Sequence, residues 1–65
     1  MEEMWIARDK DGSLYLFLRE KPQKMASLWD NQTDLWREID SHLFPEVQWS
    51  DEEPTKVKLV IEKVI

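Results

Sequence analysis

The sequence predicts a mainly β protein: a small antiparallel sheet of about five short strands, with an N-terminal β-hairpin and one helical turn near residues 41–44. Three observations carry that prediction. Two apolar runs flank Asp9-Lys10-Asp11-Gly12, the only glycine of the chain falls where a tight turn needs it, and residues 56–62 largely alternate apolar with charged side chains.

The hairpin is the best-defined element. A type I turn favours Asp at its first position and Gly at its fourth, where a left-handed backbone costs Gly little. Asp9 and Gly12 fill those places, so Lys10, Asp11 and Gly12 form a three-residue loop closed by a Gly bulge. The resulting register pairs Asp9 with Ser13, Arg8 with Leu14 and Trp5 with Phe17. It also sorts side chains by type. Met4, Ile6, Leu14, Leu16 and Leu18 share one face, and Trp5, Ala7, Tyr15 and Phe17 the other. A slip of one residue, as in a two-residue Asp11-Gly12 turn, would mix the two sets.

Pro22 removes a ladder donor from Glu20-Lys21-Pro22-Gln23-Lys24, which reads as a connector. Met25 to Trp29 is a short apolar patch, and Asp30-Asn31-Gln32-Thr33-Asp34 is rich in turn formers. Two readings compete for residues 33–44. Leu35, Ile39 and Leu43 stand at i, i+4 and i+8 with Thr33 as an N-cap, which gives the alternative of an α+β fold with a helix at 33–43 laid on the sheet. In the strand reading, Leu35, Arg37 and Ile39 alternate with Trp36, Glu38 and Asp40 and pair back onto Met25 to Trp29. Pro45 pushes Phe44 out of the helical region, so a helix would hold only about ten residues and depend on tertiary packing. The strand followed by a helical turn is preferred. Val47-Gln48-Trp49 is then a brief extended stretch, Ser50-Asp51-Glu52-Glu53-Pro54 an acidic loop, and residues 56–62 the last strand, with Val57, Leu59 and Ile61 on its buried face.

The 65 residues form a single small domain, 1–65. A chain of that size buries only about 60% of the surface its unfolded form exposes. With no cysteine there are neither disulfides nor thiolate metal sites. Dense aromatics substitute for them: Trp5, Tyr15, Phe17, Trp29, Trp36, Phe44 and Trp49, each able to bury about 150–250 Å². Their spread along the chain points to one core. No apolar run approaches the ~18 residues of a membrane span, and the acidic start lacks the order of a signal peptide, so a cytoplasmic location away from membranes is expected. Asn31-Gln32-Thr33 then matches the glycosylation pattern by accident. The net charge of −5 is uneven along the chain. Residues 1–29 hold five acids and five bases, residues 30–53 eight acids against Arg37, and residues 54–65 Glu62 against three lysines, giving 0, −7 and +2.

Trp5-Ile6-Ala7-Arg8-Asp9-Lys10-Asp11-Gly12, the Lys21-Pro22 step, and Leu43-Phe44-Pro45-Glu46-Val47-Gln48-Trp49 through Asp51-Glu52-Glu53-Pro54 together resemble segments of small uncharacterised proteins of gut bacteria and their phages. The resemblance covers about half the chain in scattered pieces. It implies a mobile-element or accessory setting and carries over no functional residue.

Residues that hold chemistry elsewhere lack the required spacing here. With Gly12 at position 6 of a calcium loop, Ala7 and Leu18 would occupy positions 1 and 12, where carboxylates are needed. Asp51-Glu52-Glu53, even with Glu46, has no convergent geometry and reads as solvated surface. Asp40, Ser41 and His42 are adjacent, which is not the geometry of a catalytic triad. A single glycine excludes a phosphate-cradling loop. No metal, no cofactor and no enzymatic activity are expected. Trp5, Tyr15 and Phe17 with Arg19 resemble a base-stacking platform, but the net negative charge works against phosphate binding, so direct nucleic-acid binding is not expected. The composition favours a non-enzymatic protein-interaction module that contacts a partner protein or a second copy through an apolar patch. The alternative is an acidic decoy whose carboxylates mimic a phosphate track and block a basic groove. Candidate contact residues are Trp36 and Trp49 for the patch and Asp51, Glu52 and Glu53 for the decoy.

Overall fold

A computed structural model of the chain describes residues 3–64. It is a mainly β protein with six short strands: β1 (Met4–Arg8), β2 (Leu14–Leu18), β3 (Gln23–Lys24), β4 (Trp29–Asp30), β5 (Trp36–Ile39) and β6 (Thr55–Val57). Four form an antiparallel sheet in the order β5-β2-β1-β6, and β3 pairs with β4 in a second, two-stranded sheet. Among the described residues no helix is long and apolar enough to cross a membrane.

The β1–β2 hairpin has the expected register, with Trp5 opposite Phe17 and Arg8 opposite Leu14. Its loop closes through Asp9 N to Ser13 O at 2.8 Å and Gly12 N to Asp9 O at 3.0 Å, with Gly12 at φ 95°. The Asp11 carboxylate accepts the Ser13 amide at 2.9 Å and fixes the bulge.

Elsewhere the structure corrects the expectations. Residues 36–39 are a strand, so the helix at 33–43 is absent; its partner is β2, not the Met25 to Trp29 patch. The edge of β2 is five residues long, whereas Trp29 and Asp30 are already bonded to Lys24 and Gln23 of the presumed connector. Residues 40–43 form a turn closed by Leu43 N to Asp40 O at 3.0 Å, and no helix is present at 41–44. Phe44, ahead of Pro45, takes φ 50°. Residues 47–49 are a loop and not an extended stretch. The last strand stops at Val57, because its partner β1 begins at Met4, directly opposite.

The single expected core is two clusters, one on each face of the sheet. Ile6, Leu14 and Val47 are buried on the aliphatic face, with Leu16, Ile39 and Val57 packed against them. Ala7, Phe17 and Trp29 are buried on the aromatic face, with Tyr15 and Trp49 against them. Val47 of a loop covers the aliphatic face, and Trp29 of the two-stranded sheet with Trp49 of a loop covers the aromatic one.

Polar side chains sew those loops to the sheet. The Arg8 guanidinium, on the aliphatic face, donates to the carbonyls of Val47, Gly12, Ser41, Leu43 and Phe44 at 2.7–3.2 Å. Its five N–H groups thus have five acceptors, and the 41–47 loop is gathered around one side chain. On the other face the Asp9 carboxylate accepts the Trp29 amide at 2.9 Å, the Trp29 indole donates to Arg8 O at 3.1 Å, and Lys10 N donates to Ser27 O at 3.1 Å. Asn31 is buried. Its amide donates to the carbonyls of Leu18, Glu20 and Leu35, and its oxygen accepts both donors of Thr33.

Candidate functional site

Strand register places four aromatic rings around one hollow. On β2, Tyr15 and Phe17 point to the same face, and the β2–β5 pairing sets Trp36 opposite Phe17 and Glu38 opposite Tyr15. Trp29, held at its backbone by Asp9 and at its indole by Arg8 O, forms the floor. Leu28 completes the apolar wall, and Asp9 and Asp30 stand at the rim of a cavity of about 240 Å³. The rings meet obliquely, as quadrupoles prefer. Tyr15 lies 6.3 Å from Phe17 at 45° and 5.5 Å from Trp36 at 79°. Trp36 and Leu28 are each 42% exposed, so the hollow opens to solvent on that side.

Acidic side chains line and flank the hollow: Asp9 and Asp30 in its lining, and Glu38 opposite Tyr15. Burial pushes the Tyr15 hydroxyl above its ordinary pKa, and the negative charges of Glu38, Asp9 and Asp11 push it further the same way. The Asp9 carboxyl is also raised, chiefly by burial and in part by the charge of Asp11, against the opposing pull of the Trp29 amide. Asp30 accepts the Gln32 amide at 2.9 Å, which orients its carboxylate within the turn.

Next to the hollow the protein holds a cation of its own against tryptophan. The Lys24 ammonium lies 4.2 Å from the Trp49 ring centroid and 5.6 Å from that of Trp29, and donates to Trp49 O and to Asp51 O, the latter at 3.0 Å. Trp49 meets Trp29 edge-on at 6.5 Å.

These placements separate the sequence-derived candidates. Trp36 is an exposed wall of the hollow. Trp49 is half-buried behind Trp29 and under Lys24, a packing role. Asp51 accepts the Gln48 amide at 3.0 Å, Glu53 pairs with Lys21 at 2.9 Å, and Glu52 is exposed. The structure does not bring these acids to the hollow. Asp9, Asp30, Tyr15, Phe17 and Trp29 belong to it and were not singled out as contacts from sequence. For Tyr15 and Phe17 the shared hairpin face was the available signal, whereas the position of Trp29 depends on hydrogen bonds across some twenty residues.

A larger depression, about 700 Å³, runs past Asp11, Glu38, Asp40 and His42, but it is shallow and polar. Two of its carboxylates already hold turns: Asp11 accepts Ser13 N, and Asp40 accepts the His42 amide at 2.9 Å and meets its ring at 3.0 Å. Those bonds hold both carboxyls below their ordinary range. Among the described residues no group of three or more His, Cys, Asp or Glu is placed to hold a metal ion. No family model, no curated protein and no solved structure matches the chain.

Proposed function

We propose that the chain is a non-enzymatic protein-interaction module that receives a lysine or arginine side chain of a partner protein in the hollow of Tyr15, Phe17, Trp29 and Trp36. The observation that carries this reading is the combination of a solvent-open aromatic wall with Asp9 and Asp30 at its rim. Aromatic faces attract cations, more strongly where water is partly excluded, and carboxylates at the rim hydrogen-bond the charged head. Lys24 against Trp49 is the same recognition made within the chain. The chain's charge of −5 favours encounter with a basic surface. In this reading the module works in the cytoplasm, in the accessory role that the resemblance to proteins of gut bacteria and phages implies.

The acidic-decoy alternative has less support. Lys21 pairs with the Glu53 carboxylate and Lys24 donates to the main-chain carbonyl of Asp51, so two positive charges break the negative track through residues 51–53.

Titration with butylguanidinium, monitored by NMR, tests the reading. The Trp36 and Tyr15 resonances should move saturably, Trp36→Ala should abolish the response, and butanol should not reproduce it. Equal responses to the cation and the alcohol, or an unaffected Trp36→Ala protein, would refute it.

A further inference from the structure

From β6 onward the chain carries a segment that the fold leaves bare. Leu59, Val60, Ile61 and Val64 are 78%, 69%, 82% and 90% exposed. Three of these four are β-branched, which suits an extended strand. They follow directly on Thr55–Val57, whose inner edge is bonded to β1 and whose outer edge is the end of the four-stranded sheet. An open edge continuing into a bare apolar segment is a site for strand addition.

We infer that residues 56–64 pair antiparallel with the same residues of a second copy of this chain, about a two-fold axis through Val60. The segment reads Lys56-Val57-Lys58-Leu59-Val60-Ile61-Glu62-Lys63-Val64 and is self-complementary about its centre over residues 58–62. In that register Val60 meets Val60, Leu59 meets Ile61 twice, and Lys58 meets Glu62 twice. Opposite charges and apolar pairs directly across a strand pair are favourable, and like charges there are not. At the ends of the segment Val57 meets Lys63 and Lys56 meets Val64; shifting the sum of the paired residue numbers by two in either direction brings such a charged-apolar pair next to the axis, Lys58 against Val60 or Glu62 against Val60.

The faces agree as well. Val57 packs on the aliphatic cluster with Ile6 and Leu14, so alternation carries Leu59 and Ile61 onto the same side. The dimer would join two four-stranded sheets through β6 and prolong the aliphatic face across the axis. β1 occupies the inner edge of β6 as far as Val57, and the two-fold axis makes the contact isologous, the same residues serving on both copies.

Sedimentation equilibrium of the full chain between about 10 µM and about 1 mM, the range of a small strand-pair interface, tests this. The apparent mass should rise from 7.9 kDa towards twice that value. Lys58→Glu alone and Glu62→Lys alone each set like charges across both pairs and should weaken association at least about tenfold. An equimolar mixture of the two variants should restore it, because every Glu then faces a Lys. Leu59→Asp should leave the chain monomeric while the tryptophan fluorescence of the folded sheet is unchanged. A parent chain monomeric throughout, single variants that associate like the parent, or a mixture that fails to recover would each overturn the inference.

Discussion

Arg8 satisfies five backbone carbonyls with one guanidinium, and that arrangement sets what a lysine in its place would forfeit. An ammonium has three donors and no fork, so at least two of the carbonyls lose their partner. Arg8→Lys should therefore destabilise the fold by about 1–3 kcal/mol, read as a lowered urea midpoint; an unchanged midpoint would mean that water replaces those bonds at no cost. Gly12 differs in kind. A Cβ there would meet nothing within 4 Å, so the cost of Gly12→Val is conformational, about 1–2 kcal/mol for a β-branched residue at φ 95°. The aspartates of the hairpin and the neighbouring turn should titrate in opposite directions from 3.8. The raised value of Asp9 means that the folded state binds its proton more readily than the unfolded state. Its contribution to stability is present below the ordinary value and lost as pH rises through the folded one. Asp11 and Asp40 are lowered, so theirs is present above the ordinary value and lost as pH falls through the folded ones. Carboxyl 13C shifts followed against pH should show Asp9 titrating after Asp11 and Asp40 as pH rises.

Among the elements, the hairpin was legible because all its determinants are local: Asp and Gly at fixed turn positions, and alternation that sorts aliphatic from aromatic side chains. The existence of β5 was legible from its own alternation, but its partner was not. Leu14 with Ile39 and Phe17 with Trp36 are pairings over some twenty residues that no local pattern encodes. Residues 58–62 of the expected last strand failed for the opposite reason: their pattern is that of a strand, but β1, which begins at Met4, is paired only as far as Val57. The site was legible in part. Trp36 could be picked out, whereas Trp29 is positioned by Asp9 and by Arg8 O, and carbonyl acceptors leave no mark in a sequence. The two candidate tryptophans should therefore part company. Trp36→Ala should keep most of the stability and lose the response to butylguanidinium. Trp49→Ala should lower the melting temperature, because it strips the packing from Trp29 and the seat from Lys24. If Trp36→Ala proves the more destabilising of the two, the hollow is a structural contact and not a recognition surface.

For the molecule as a whole, the only regular structure laid on the four-stranded sheet among the described residues is β4, through Trp29. The 41–47 loop closes one side around Arg8 and Val47, and residues 25–29 close the other around Trp29. Asn31 ties the link between them to β2, and Asn31→Ala should cost about 1–3 kcal/mol by removing its donor to Glu20 O and its acceptor for both donors of Thr33. Loops are ordinarily where a domain absorbs inserted residues at little cost. In this protein Val47 and Trp29, one of the three buried residues of each cluster, come from outside the four-stranded sheet, and the usual map of tolerance is turned inside out. A library carrying short Gly-Ser insertions at every position should lose folded members within residues 25–29 and 41–47 and keep those beyond Val57. Natural length variation in such a chain would then collect at its C-terminal segment, while its connecting loops changed as slowly as a core.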